Sequence, residues 1–348
     1  MTYIFSRQFL KKSVLLALLP SFVISVTVFG QLQYISKYPD IPIVDVHVHI
    51  RGVNDVSNYL KVSEAIKQNY GSNLSFFIGL SVLNDPVFEE VMAAGKNRFL
   101  FAVSEMTPHK GINKTPEEIV SMIRDGYVGL KFWFGDPHRV IKEGEEGITR
   151  IDDPYFEKLF STLEQNNVLM TSLHIADPNG PFGDRQPWMA DPVYYWTQIR
   201  AFEDIVAKYP KLTIVAAHCA WIICQDAQLD YLRYMFSTYP NLYVDVSATF
   251  RYMYLLNPDN LRDLFIEYQD RFLYGSDTNI PDDAIQRIAD RFAVNFAILE
   301  SHQIIERAFE SNKPIQGLNL PKEVLEKIYY KNALKLYPGL KEATGLLK

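Results

Sequence analysis

The sequence predicts an α/β chain folded as a single (β/α)8 TIM barrel with a C-terminal helical extension. Three observations predict it. Between residues 41 and 277 stand eight short apolar or β-branched runs, each long enough for one strand and each followed by a helical stretch. The runs are continuously apolar rather than alternating, as strands are when a parallel sheet is covered on both faces. No G-x-G-x-x-G follows the first run, which argues against the alternative, a doubly wound open sheet.

Taken in order, the strands are IPIVDVHV (41–48), LSFFIGLSV (74–82), RFLFAVSE (98–105), GYVGLKFW (126–133), VLMTSLHI (168–175), LTIVAAHC (212–219), NLYVDVSA (241–248) and RFLYGSD (271–277). Helix signals lie between them: Thr115-Pro116-Glu117-Glu118 is a capping box with proline at the first helical position, and Asp153-Pro154 opens the amphipathic PYFEKLFSTLEQ stretch. After residue 282 the pattern continues as helices, with Pro321-Lys322-Glu323 opening one that ends near Tyr337-Pro338 and wraps the barrel bottom or flank. Two connections, 134–152 and 176–192, are longer than a barrel needs and leave strand C-termini, where barrel enzymes build their sites. They are the predicted substrate lid.

Composition narrows the function classes. Of 348 residues 48% are apolar and 22% charged, which excludes a disordered or collagen-like chain, and two cysteines exclude a disulfide scaffold. A net charge of −6 gives no electrostatic reason for a nucleic-acid partner. Arg7, Lys11 and Lys12 precede an apolar run, Ser13 to Phe29, that ends in Val28-Phe29-Gly30, as a secretory signal does before its cleavage site. Residues 1–30 therefore read as a signal peptide and 31–348 as one domain, exported to the periplasm or the exterior, or anchored there if the segment is retained. Its removal takes three of the 35 basic residues and none of the 41 acidic ones, a net charge of −9 for the remainder, with no stable membrane insertion expected. Cys219 and Cys224 are five apart, a spacing that suits a strain-free bridge poorly, so both read as buried thiols. A small molecule is the expected partner, and the oligomeric state is left open, a homo-oligomer included.

Four of the seven histidines fall at predicted strand ends: His47 and His49 on strand 1, His174 on strand 5 and His218 on strand 6. A His-x-His pair at a strand end puts both imidazoles on one face, within reach of one divalent ion. Strand 8 ends in Gly275-Ser276-Asp277, which adds a carboxylate at the same barrel mouth. Lys131 sits inside the apolar run of strand 4, where burial favours either a carboxylate partner or a carbamate able to bridge two metals. Arg51, and Arg185 with Trp188 in the long loop, are candidates to bind a substrate carboxylate, against the alternative of solvated loop side chains. Trp133, Trp221, Tyr252 and Tyr254 read as pocket or lid packing, and His109, His138 and His302 as surface residues.

The set His-x-His, Lys, His, His, Asp on strands 1, 4, 5, 6 and 8 resembles the amidohydrolase superfamily. The stretches KYPKLTIVAAHC, STYPNLYVDVSA and YQDRFLYGSD look like its amidohydrolase 2 branch, which also contains the aminocarboxymuconate-semialdehyde-type decarboxylases. The resemblance implies His47, His49, His174 and Asp277 as ligands of a divalent metal, most simply Zn2+, one ion or two, with Lys131 as a further ligand if carbamylated. It implies His218 as second-metal ligand or as the group that polarises the substrate, and Asp277 as the proton acceptor. Two departures stand out: many members of the branch follow the strand 6 histidine with glycines, where this chain has Cys219-Ala220-Trp221, and many carry Tyr-Pro after the strand 8 aspartate, where it has Thr278-Asn279. The activity implied is hydrolysis of an amide, lactone or ester by a metal-activated water, with non-oxidative decarboxylation as the alternative.

Overall fold

The computed structural model describes residues 34–80, 85–95, 97–137, 140–178, 192–306, 308–309 and 312–346. Eight strands follow one another in chain order: β1 (Pro42–Val48), β2 (Asn73–Leu80), β3 (Phe99–Glu105), β4 (Leu130–Phe134), β5 (Met170–Ile175), β6 (Ile214–Ala216), β7 (Leu242–Asp245) and β8 (Phe272–Leu273). Each pairs in parallel with the next. The ring closes where Val46 N donates to Tyr274 O at 3.0 Å, Asp277 N donates to His47 O at 2.9 Å, and Val48 bridges Thr278. The predicted barrel is the observed one.

Eight helices return antiparallel to the strands: α1 (Val53–Tyr70), α2 (Asp85–Ala94), α3 (Pro116–Arg124), α4 (Glu157–Gln165), α5 (Pro192–Lys208), α6 (Asp226–Thr238), α7 (Pro258–Glu267) and α8 (Ile285–Glu300). The capping box that opens α3 is formed in both directions between Thr115 and Glu118. Asp153 accepts from Tyr155 N and starts the turn ahead of α4, so both sequence signals have their expected physical cause.

The parallel strands are buried on both sides because they serve two cores. Outward residues such as Phe77 and Phe132 pack on the helix layer, against Tyr59 and Phe156 among others. Inward residues such as Val46, Ile78, Val215 and Leu273 form one cluster with Ala333, Leu334, Tyr337 and Leu340. The C-terminal extension therefore plugs the bottom of the barrel, which selects one of the two predicted placements. It consists of short helices at Lys322–Glu326, Asn332–Leu336 and Leu340–Thr344, with a π turn at Lys327–Lys331 whose Ile328 carbonyl accepts from Tyr274 N at 2.9 Å. Gly129 lets β4 approach β5: its φ is 149°, and a Cβ there would lie 2.2 Å from Leu169 O.

Cys219 and Cys224 are buried free thiols. His302 is exposed, whereas His109 is a correction to the sequence reading. It is fully buried, its ring 4.0 Å from that of Phe134 and its Nδ1 2.8 Å from Ile148 O, so it ties the loop after β3 to the loop after β4. His138 and most of the predicted 176–192 lid lie outside the described residues. Among the described residues no helix is long and apolar enough to cross a membrane.

Candidate metal centre

The C-terminal ends of the strands surround a cavity of about 620 Å3, lined by His47, His49, Lys131, Trp133, His174, His218, Trp221, Arg251, Tyr252 and Asp277, with Asp136 and Asp177 among its other walls. β1 carries a bulge between Asp45 and Val48 relative to β2. Val46 consequently belongs to the inner core while the next residue, His47, also faces inward at the mouth, the re-aiming that a bulge produces. Gly275 leaves the room His47 needs, since a Cβ there would lie 2.9 Å from His47 Cβ and 3.0 Å from Ser247 Cβ.

His47, His49 and Asp277 offer ligand atoms that lie within 4.8 Å of one another. Asp277 Oδ1 is 2.7 Å from His49 Nε2 and 3.6 Å from His47 Nε2, and its Oδ2 is 3.9 Å from His218 Nε2. His47 Nδ1 donates to Asp245 Oδ2 at 3.0 Å, which leaves the lone pair of Nε2 pointing into the centre. That nitrogen is buried and has no hydrogen-bond partner.

His218 and His174 add a second sign. His218 Nδ1 faces the Ser247 carbonyl at 2.9 Å and so carries the proton, leaving a lone pair on Nε2. His174 Nε2 faces the Ala176 carbonyl at 3.1 Å, which leaves the lone pair on Nδ1. These two bare nitrogens stand 3.1 Å apart. Two facing lone pairs repel unless a proton or a cation is shared between them, so the donor set fits a divalent ion on chemical grounds.

The electrostatics keep these groups in ligating form. Burial pushes the imidazoles of His47 and His174 below the ordinary histidine value and that of His218 well below it, so all three favour the neutral form. Burial alone would raise Asp277, but the hydrogen bond from His49 and the adjacent His218 and His47 outweigh it and hold the carboxyl well below its usual range. Burial pushes the Lys131 ammonium down to about 8, against the pull of Asp277 and Asp245; its Nζ donates to Ser172 Oγ at 2.9 Å.

Three buried residues escaped the sequence reading. Asp245 accepts from His47 Nδ1, from the backbone N–H groups of His218 at 3.1 Å and Ser247 at 3.0 Å, and from Ser247 Oγ. Ser247 Oγ also lies 3.0 Å from His47 Nδ1 and 2.8 Å from His218 Nδ1. Asp45 Oδ1 accepts from His47 N at 3.1 Å and Ser276 N at 3.0 Å, which locks β1 to the end of β8. Alternation along NLYVDVSA, with Tyr243, Asp245 and Ser247 on one face, was the available signal for the first two.

His218 itself is placed differently from expectation. β6 stops at Ala216, and His218, Cys219, Ala220 and Trp221 form a left-handed turn with φ of 57°, 52°, 50° and 57°. Its non-glycine residues occupy a backbone region where glycine is at ease, at a cost of about 1–2 kcal/mol per residue. Arg51 is exposed, its backbone N–H donating to Asp55 Oδ2 at 2.6 Å, and it is not among the cavity-lining residues. Arg185 and Trp188 lie outside the described residues.

Residues 81–339 match the Amidohydro_2 family, described as Amidohydrolase. The chain belongs to this family. Solved structures similar to this amidohydrolase include a 5-carboxyvanillate decarboxylase of Novosphingobium aromaticivorans with bound manganese, at 13% identity over 87% of this chain and 99% of that one, TM-score 0.44. Others are an amidohydrolase 2 of Bifidobacterium longum subsp. infantis, at 12% identity over 85% and 98%, TM-score 0.47, and a zinc-bound amidohydrolase of Burkholderia multivorans, at 11% over 84% and 98%, TM-score 0.44. No curated protein matches this amidohydrolase.

Proposed function

We propose that this amidohydrolase is a metal-dependent hydrolase that cleaves an amide, lactone or ester bond of a small molecule. The observation that carries the reading is the buried, partnerless Nε2 of His47 facing the anionic Asp277. In it His47, His49, His174 and Asp277 would hold a divalent ion, Zn2+ by the nitrogen-rich donor set. Such an ion supplies a Lewis acid and brings the pKa of a water it binds toward ~7. The remaining work falls to the chain. Asp277, kept ionised, would accept a proton at a carboxylate oxygen and pass it to the departing atom, while the neutral His218 stands at the same mouth with its Nε2 3.9 Å from that carboxylate. Asp245 and Ser247 are positioning groups that fix the tautomers of His47 and His218.

Lys131 favours a second reading. A buried ammonium among the cavity walls suits a substrate carboxylate, which non-oxidative decarboxylation requires; carbamylated, the same side chain would instead serve as a metal bridge. Metal content per chain, in the parent and in His47→Ala and Lys131→Ala, tests both. About two ions in the parent and one or fewer without the lysine support a carbamate-bridged hydrolase. About one ion, lost with His47 and kept without Lys131, supports a mononuclear site, after which carbon dioxide release against incorporation of labelled water separates the reactions. A parent without metal overturns the metalloenzyme reading. We also read residues 1–30 as an export signal, so the N-terminal sequence of the exported protein is expected to begin at Gln31.

A further inference from the structure

Two walls of the cavity have no part in the chemistry proposed above. The left-handed turn ends in Trp221, whose indole stacks on His218 with centroids 4.6 Å apart and meets Tyr252 edge-on at 5.7 Å. Its Nε1–H is buried and has no hydrogen-bond partner, an unfavourable state that a ligand acceptor would relieve. A strained backbone that holds a cavity-lining aromatic with an unsatisfied donor is the kind of outlier from which function is inferred.

The second wall comes from the turn after β7. Ala248, with φ of 57°, bends the chain over the mouth into a short 3-10 segment, Thr249–Leu255. Phe250 and Met253 are buried and anchor that segment, and Arg251 between them lines the cavity. Among the described residues Arg251 forms neither a hydrogen bond nor an ion pair, unlike the loop cation Arg150, which is paired with Asp152 at 2.5 Å. Asp136 and Asp177 stand in the same cavity on the loops after β4 and β5 and repel an anion from that side. Besides Lys131, an anionic substituent therefore finds a favourable wall on the β6 and β7 side.

We propose that Arg251 and the indole N–H of Trp221 form a carboxylate subsite that selects and orients the substrate by an anionic group away from the bond that reacts. The proposal rests on the reading of this cavity as the substrate site. It makes the substrate of the amidohydrolase a carboxylate-bearing small molecule. The two residues determine specificity and leave the metal ligands untouched.

The test is calorimetric titration of the purified, metal-loaded protein with benzoate and with benzamide, equal in shape and different in charge. Arg251→Gln is expected to weaken benzoate about tenfold or more, as loss of a charge-assisted contact does, and to leave benzamide within about twofold. Trp221→Phe keeps the stacked ring and removes only the N–H, and is expected to weaken benzoate a few-fold. Since Arg251 has no partner to lose, its variant should keep the parental metal content and melting midpoint. Benzoate bound equally well by Arg251→Gln would overturn the subsite. So would equal loss of benzamide, loss of benzoate in His47→Ala with retention in Arg251→Gln, or no benzoate binding by the parent up to ~10 mM. Metal content of the same samples separates the two readings. A parent that retains no metal after loading sinks the hydrolase, while a preference for benzoate that depends on Arg251 would still establish the subsite.

Discussion

The two ends of the barrel each bury carboxylates among polar side chains and treat them in opposite ways. At the mouth, Asp277 and Asp245 sit among imidazoles that hold them below the usual carboxylate range, and His47 Nε2 is left without a partner beside a cavity. At the far end, where α1 and α8 terminate, Glu300 accepts from Ser36 Oγ at 2.8 Å and Tyr329 Oη at 3.0 Å, and burial raises its pKa. Among the described residues no cation pairs with that carboxylate, so its hydrogen-bonded neighbours only partly replace water. The contrast separates a polar cluster built to bind from one built to fasten: the first keeps charge and spare valence, the second uses up its acceptors. Barrel architecture says the same, with chemistry at strand C-termini and stability at the other face.

The largest expected effect breaks the mouth alone. His47→Ala removes the central residue of the proposed ligand set, and elemental analysis should find less than about a tenth of the parental metal, whereas Glu300→Gln should leave metal content unchanged. Next in size, Asp245→Asn should weaken metal affinity by about 10–100-fold in competition with a chromophoric chelator, because His47 loses the carboxylate that fixes its tautomer. Parental affinity in that variant would mean that the ligand shell holds its own orientation.

The sign of the pH dependence sharpens the comparison. Glu300 has a folded pKa above its ordinary 4.5, so its contribution is full below that value and is lost as pH rises through the folded one. Asp245 has a folded pKa below its ordinary 3.8, so its contribution is present above that value and is lost as pH falls through the folded one. Glu300→Gln should thus gain stability relative to the parent as pH rises from 4.5 to 8, by about 1 kcal/mol or less given the two retained hydrogen bonds. Asp245→Asn should be at its relative worst at neutral pH and recover toward acid. Urea midpoints of metal-free protein from pH 4.5 to 8 measure the first and those below pH 3.8 the second, and flat differences in both windows would erase the distinction between the two ends.

The smallest effect tests the turn after β6. Ala220→Gly relieves about 1–2 kcal/mol of left-handed strain, loses about 0.8 kcal/mol with its methyl group and restores chain entropy to the unfolded state. The sum lies within about 0.5 kcal/mol of zero. A loss above ~2 kcal/mol in denaturant melts would show that packing, not backbone strain, governs the turn.

Much of this arrangement is legible in the sequence because it follows from periodicity. Continuous apolar runs mark all eight strands, since each must serve two cores, and His47 and His49 announce themselves by a spacing of two. Asp245 obeys the same rule but stands alone on its strand, so nothing local marks it as the partner of a histidine 198 residues away. His109 looks like a loop residue from its neighbours, and only the fold brings Phe134 and Ile148 to it. The left-handed turn is illegible for a stronger reason: VAAHC has strand composition, and the contacts that force Cys219, Ala220 and Trp221 out of that conformation are tertiary.

That turn also bears on how such a pocket can change over generations. Where side chains sit in a backbone shape that glycine prefers, substitution to glycine relieves strain that offsets part of the packing it removes. The reverse substitutions add a wall at a tolerable cost. Trp221 is the one of the three residues after His218 that lines the cavity, so it is where strain relief offsets part of the cost of a smaller side chain, while His218 at the start of the turn is held by Asp245 and Ser247. Selection for a new substrate can act on Trp221 while Asp245 and Ser247 keep hold of the histidine that opens the turn.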